Sequence, residues 1–152
     1  MKLFISGFIF FLALFLAPCV YARTNDEIRE ELVVIARERA FNSRLQREAN
    51  RLGVAWDRSR IYAVRLVLLV FGDESRTALA VAKAESGLRC GAVGDGGRSI
   101  GLFQINEAHW GRWSRDSLFD CEVNIKAAYQ IWEESGFWPW TVFRLGAYRQ
   151  FL

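Results

Sequence analysis

Residues 85–106 read Glu-Ser-Gly-Leu-Arg-Cys-Gly-Ala-Val-Gly-Asp-Gly-Gly-Arg-Ser-Ile-Gly-Leu-Phe-Gln-Ile-Asn. Gly91, Gly94, Gly96, Gly97 and Gly101 crowd this stretch, which predicts backbone turns and close approaches and not a regular element. Just upstream, Ala78, Leu79, Val81 and Ala82 give residues Thr77–Ser86 the apolar face of a helix, and Gly87 is placed to end it in the left-handed conformation. Glu85 therefore falls in the last turn of a largely apolar helix, beside the glycine-rich loop. The negative end of the helix dipole and partial burial both disfavour its carboxylate. Both raise its pKa, as a general acid near neutral pH requires. On these grounds alone, a solvated glutamate at a helix end is the stronger reading.

Working outward, the chain reads as helical on both sides. Thr24 and Glu27 have the spacing of a capping box. Apolar residues then recur with helical spacing at Ile28, Leu32, Ile35, Ala36, Ala40, Phe41, Leu45, Ala49 and Leu52, with charge of both signs between them. A helix packed on its own domain is the expectation, with Gly53 as its stop. Arg58-Ser59-Arg60 reads as a loop. Ile61 to Phe71 is apolar except for Arg65; it is expected in the core as either helix or strand, and it is too short to span a bilayer. Downstream, Asp120 is suited to cap a helix running to about Glu134, with Val123, Ala127, Ala128, Ile131 and Trp132 facing inward and Gly136 ending it. Most of the aromatics from Trp110 onward are expected in the core, with one surface tryptophan in a cleft. His109 reads as a surface or packed imidazole rather than a catalytic base.

The N-terminus has its own texture. Lys2 is followed by an apolar run from Leu3 to Ala17, then Pro18 and Val20-Tyr21-Ala22, a secretory signal layout with cleavage expected after Ala22. An uncleaved anchor and a lipidated Cys19 are the alternatives. Of 152 residues with a net charge of +3 and three cysteines, removal of residues 1–22 takes away Lys2 and Cys19. It leaves 130 residues, a charge of +2, and Cys90 with Cys121. Two cysteines in an exported chain suggest one disulfide, closing a loop of about 30 residues and contributing about 3–4 kcal/mol; two separate buried thiols are the other possibility. A single histidine and three cysteines disfavour a His-rich or all-thiolate zinc centre. No motif or concentrated basic stripe points to nucleic acid.

The order of motifs is more specific than any one of them. Glu85-Ser86-Gly87, then Gly94-Asp95-Gly96-Gly97, then Ser99-Ile100-Gly101-Leu102-Phe103-Gln104-Ile105 resembles the catalytic segment of the lytic transglycosylase family with the goose-type lysozyme fold. Leu118-Phe119-Asp120, Asn124-Ile125, Ala127-Ala128 and Gly146-Ala147-Tyr148 extend the resemblance, which covers about residues 73–149. It implies a mainly α, lysozyme-like single domain with a glycine-rich loop or small hairpin after the catalytic helix. The implied organisation is a signal peptide over 1–22, an N-terminal helical segment over 23–72 packed on the catalytic region, and a transglycosylase region over 73–152.

The resemblance also implies the chemistry. Glu85 would protonate the glycosidic oxygen between N-acetylmuramic acid and N-acetylglucosamine, then accept a proton from the muramyl 6-hydroxyl, leaving a 1,6-anhydro product. Ser99 and Gln104 match positions that contact substrate or position the glutamate, and Tyr148 matches a tyrosine that closes over it. Asp95 reads as a turn residue making local hydrogen bonds, Asn106 as a cap or turn residue, and Gly101 as a point of close backbone approach. Arg149 departs from the asparagine usual in the family. The implied partner is the peptidoglycan glycan strand in the periplasm or outside the cell, with no metal, no organic cofactor and no membrane span after signal cleavage. The alternatives are a hydrolytic muramidase of the same fold and a non-catalytic glycan-binding or envelope assembly protein.

Overall fold

The computed structural model describes residues 24–152; the expected signal segment and Cys19 lie outside them. Two compact units are present, one ending at Glu38 and one spanning Arg39–Leu152. Helix α1, Asn25–Arg51, begins in the first and ends in the second. Its start is the expected capping box: the Thr24 N–H donates to Glu27 Oε2 at 2.7 Å and the Glu27 N–H to Thr24 Oγ1 at 3.2 Å. Its apolar face does not bury evenly. Ile28, Leu32, Val33, Val34 and Ile35 are exposed, whereas Phe41 and Leu45 are partly buried and Ala49 and Leu52 fully so.

The second unit is mainly helical. Residues 61–71, open between helix and strand in the sequence, are helix: α2 spans Arg58–Phe71 and includes Arg58-Ser59-Arg60, a correction to the loop expected there. The reason is local. Asp57 is the N-cap, and its Oδ1 accepts from the backbone N–H groups of Ser59 and Arg60, each at 3.1 Å. The polar triplet is thus a solvated first turn. Helix α2 packs on α3, Ser75–Ser86, and on α4, Cys121–Ser135. Asp120 caps α4 as expected, its Oδ1 accepting from the Val123 N–H at 3.0 Å. Val64, Val67 and Phe71 from α2, Leu79 and Ala82 from α3, and Ile125, Ala128 and Ile131 from α4 form the core together with Leu102, Phe103 and Trp140. A single turn of helix, α5, follows at Thr141–Arg144, then a 3-10 turn at Ala147–Phe151 that packs against α3.

Between α3 and α4 the glycine-rich stretch folds into a miniature antiparallel sheet of three two-residue strands: β1 (Val93–Gly94), β2 (Ser99–Ile100) and β3 (Ile105–Asn106). Gly94 lies opposite Ser99, and Ser99 opposite Asn106. A disulfide joins Cys90 to Cys121 across 31 residues, tying the chain just after α3 to the first residue of α4. Among the described residues no helix is long and apolar enough to cross a membrane.

Candidate active-site cleft

The end of α3 is built to hold one side chain in place. Gly87 takes φ 65° and ψ 27°, and its N–H returns to the carbonyls of Ala82 and Lys83, closing the helix in the left-handed form that costs glycine least. Ser86 is buried, and its hydroxyl reaches the Ala82 carbonyl at 3.1 Å and the Leu102 carbonyl at 2.7 Å, linking helix and loop. With Ser86 turned inward, Glu85 faces a cleft of about 520 Å³. The sheet side of that cleft is formed by Asp95, Ser99, Gln104, Ile105 and Asn106; the opposite wall by Ile131 and the run Pro139-Trp140-Thr141-Val142, with Ala108 and His109 at the remaining edge.

The electrostatics of Glu85 follow from that placement. Burial, and then the charge of Asp95, push its carboxyl from 4.5 up to about 7, while a hydrogen bond from the Val142 N–H opposes them. A carboxyl of this kind retains its proton near neutrality and can deliver it to a leaving oxygen, then serve as a base of matched strength.

Asp95 does two things at once. Its Oδ2 accepts from Ser99 Oγ at 2.5 Å, the local turn bond expected of it, in a backbone conformation with φ 50°. It also lines the cleft and acts on Glu85, which makes it part of the site. Ser99 Oγ in turn accepts from Asn106 Nδ2 at 3.3 Å, and Asn106 Oδ1 caps the following turn by accepting from the Ala108 N–H at 3.2 Å. The row Asp95–Ser99–Asn106 supports one side of the cleft.

Gln104 is held as tightly. Its Nε2 donates to the carbonyls of Gly101 at 2.8 Å and Ala92 at 3.3 Å. A Cβ on Gly94 would lie 2.2 Å from Gln104 Oε1, so the amide rests directly on bare backbone. Glu85, Ser99 and Gln104 thus meet in one cleft. Tyr148 does not join them there: its ring stacks on Phe143 with centroids 4.8 Å apart, and it is not among the lining residues.

Three further residues hold the site together: Asn124 and Trp140, whose hydrogen-bonding roles carry little signal in the sequence, and Gly101, the close backbone approach expected there. Asn124 is fully buried in α4; its Oδ1 accepts from the Phe103 N–H, and its Nδ2 donates to the carbonyls of Ile100 and Leu118, all at 2.9 Å. One amide thereby satisfies three backbone groups of the loop that would otherwise be buried without partners. Gly101 passes so close that a Cβ would stand 2.1 Å from Asn124 Nδ2 and 2.5 Å from the Leu118 carbonyl oxygen, at a φ of 83°. Trp140 Nε1 donates to the Phe103 carbonyl at 2.8 Å, fixing the opposite wall to the same loop. Among the described residues no group of three or more His, Cys, Asp or Glu side chains is gathered as a metal site.

A family model described as a lysozyme-like domain matches residues 69–142. This stretch is a lysozyme-like domain. It includes every residue that lines the cleft and ends before Tyr148. The match supports a glycan-cleaving protein of the lysozyme fold, with glycosidase-type chemistry. Comparison with curated proteins and with solved structures gives no significant match.

Proposed function

We propose that the lysozyme-like domain is an exported peptidoglycan lytic transglycosylase with Glu85 as its catalytic acid and base. The supporting observation is the placement of Glu85 at the end of α3, partly buried in the cleft and within reach of the charge of Asp95, which pushes its carboxyl up to about 7. In the first half of the reaction Glu85 gives that proton to the glycosidic oxygen, and the bond from the muramyl anomeric carbon to that oxygen breaks. In the second half the muramyl 6-hydroxyl oxygen bonds to the same carbon, and its proton passes to the Glu85 carboxylate. The enzyme returns to its starting state, and the product carries a 1,6-anhydro ring. Ser99 and Gln104 shape the side of the cleft that receives the sugars. Tyr148 supports the assembly from behind, through Phe143 and the turn packed on α3.

Export is proposed from the signal layout of residues 1–22, and the Cys90–Cys121 disulfide suits the oxidising compartment it leads to. The mature chain then divides into the helical segment 23–72 and the region 73–152, with peptidoglycan strands as the partner.

A hydrolytic muramidase is the second reading, and Asp95 is the observation that favours it. Glycosidases that use water commonly employ two carboxyl groups, and Asp95 lines the same cleft as Glu85. Against this, one Asp95 oxygen is already engaged by Ser99, so the intramolecular route is preferred. Digestion of purified peptidoglycan with the mature protein and with Glu85→Gln tests the proposal. Release of muropeptides by the first and not the second is expected; equal release by both, or by neither, would overturn it.

A further inference from the structure

The cleft is unevenly charged. Glu85 and Asp95 bring two carboxyl groups to it, and among the described residues that line it His109 is the one whose side chain can carry positive charge. His109 ends the 3-10 turn Glu107–His109, which Asn106 caps through its Oδ1. The residue is thereby fixed just beyond β3, the strand that borders the cleft. Its ring is half-buried and lies 6.5 Å from that of Trp113, tilted by 49°. Neither ring nitrogen has a hydrogen-bond partner among the described residues. The carboxylates near it are already engaged: Arg112 holds Glu134 at 2.7 Å, and Arg98 faces Glu107 at 3.7 Å. A half-buried imidazole at the edge of the cleft thus keeps unused donor capacity, and such capacity is ordinarily taken up by a partner.

We infer that His109 recognises a carboxylate carried on the substituent of a muramyl residue, an inference that rests on the glycan-cleaving reading of the cleft. A muramyl ring differs from its neighbours by a lactyl ether, which either ends in its own carboxylate or continues as a short peptide with free carboxylates. The ring itself must sit where Glu85 reaches the glycosidic oxygen, between the sheet side of the cleft and the wall formed by Pro139-Trp140-Thr141-Val142. Its substituent is then turned to an edge. Beside Asp95, whose charge already acts on Glu85, an anionic group is repelled. Beside His109 it meets a hydrogen-bond donor that becomes a cation on protonation. His109 is a specificity residue: it selects which muramyl substituents the cleft accepts and leaves the proton transfers to Glu85.

Soluble strands of equal length serve as probes: one with free peptide carboxylates, the same strand with those carboxyls converted to amides, and a peptide-free strand whose lactyl carboxylates are exposed. His109→Ala is expected to raise KM for the carboxylate-bearing strands about three- to tenfold, with kcat unchanged. KM for the amidated strand should barely move, which separates recognition of charge from a general loosening of the cleft. His109→Arg restores a donor and a positive charge and should recover most of the loss. In the Glu85→Gln background the same order should appear in the Kd values of the strands. A rise confined to the peptide-bearing strand assigns the carboxylate to the peptide, and one confined to the peptide-free strand assigns it to the lactyl group; each supports the inference. An equal effect of His109→Ala on the free and amidated strands, or no effect on any strand, alongside normal cleavage by the wild type, overturns the role of His109 and leaves the enzyme reading intact. Failure of the wild type to cleave any strand overturns the enzyme reading and this inference with it.

Discussion

Replacing Glu85 by glutamine should do two things at once, abolish activity and stabilise the fold in a pH-dependent way. A carboxyl whose pKa rises from 4.5 to about 7 is less stable ionised in the folded protein than in the unfolded chain. At about 1.4 kcal/mol per pH unit the full penalty would be about 3.5 kcal/mol. Glu85 keeps one side toward the open cleft, where solvent screens the effect, so about 2 kcal/mol is the figure expected. The sign follows from proton counting. Below about pH 4.5 the group is protonated in both states and contributes no penalty. Between about pH 4.5 and 7 the folded protein holds a proton that the unfolded chain has released, so stability falls as pH rises. Above about pH 7 the penalty is complete and constant. The amide of the Glu85→Gln variant does not titrate. Urea unfolding of both proteins, with the disulfide intact, should therefore give a stability difference that shifts in favour of the variant by about 2 kcal/mol between about pH 4 and pH 8.5. The alkaline limb of kcat/KM for the wild type should fall near pH 7, where the same group loses its proton. A stability difference that does not change with pH would refute the reasoning, because it would mean that Glu85 titrates as it does in the unfolded chain.

Further outcomes follow from the neighbouring residues. Asp95→Asn removes the charge that raises Glu85, so the alkaline limb should move to lower pH while activity persists; complete loss of activity would instead point to Asp95 as the base of a hydrolase. Asn124→Ala strips three buried backbone groups of their partners and should cost at least about 3 kcal/mol in urea unfolding. Activity should fall further than the folded fraction does, because the Gly101–Gln104 turn depends on that amide. Reducing the Cys90–Cys121 bond should lower stability by about 3–4 kcal/mol, measured by unfolding with and without reductant.

The parts of the fold that are legible in sequence are those fixed by local chemistry. The Thr24–Glu27 box, the Asp120 cap and the left-handed Gly87 each depend on residues within one turn of each other, so spacing alone identifies them. The placement of Glu85 at a helix end beside a glycine-rich loop is readable for the same reason. Asp57 escapes notice as a cap because the polar triplet after it looks the same in a loop and in a solvated first turn. The apolar face of α1 is only half buried. Periodicity records which residues share a side, but not where along 27 residues the packing partner stops.

The site is harder to read than the fold because its walls come from separate places in the chain. Asn124 is one residue on an apolar helix, and nothing near it in sequence announces three backbone partners 6 to 24 residues away. The Val142 N–H that touches Glu85 is a backbone group and has no signature at all. Asp95 is recognisable as a turn residue, yet the charge it casts on Glu85 depends on how the three short strands bring the loop back over α3. Ser99 and Gln104 stand out in the sequence only through a resemblance. The hydrogen bonds that fix them, to Asp95 and to the Gly101 and Ala92 carbonyls, supply the physical reason for those residue types.

The central claim is that the nucleophile is the substrate's own 6-hydroxyl, activated by Glu85, and not water. The most direct test is digestion of peptidoglycan in water enriched in heavy oxygen, with the masses of the released muropeptides measured. The account requires products lighter than the hydrolytic ones by one water molecule and free of the label. Muropeptides that end in reducing muramyl residues and carry one labelled oxygen at the new end would contradict it and establish the hydrolase.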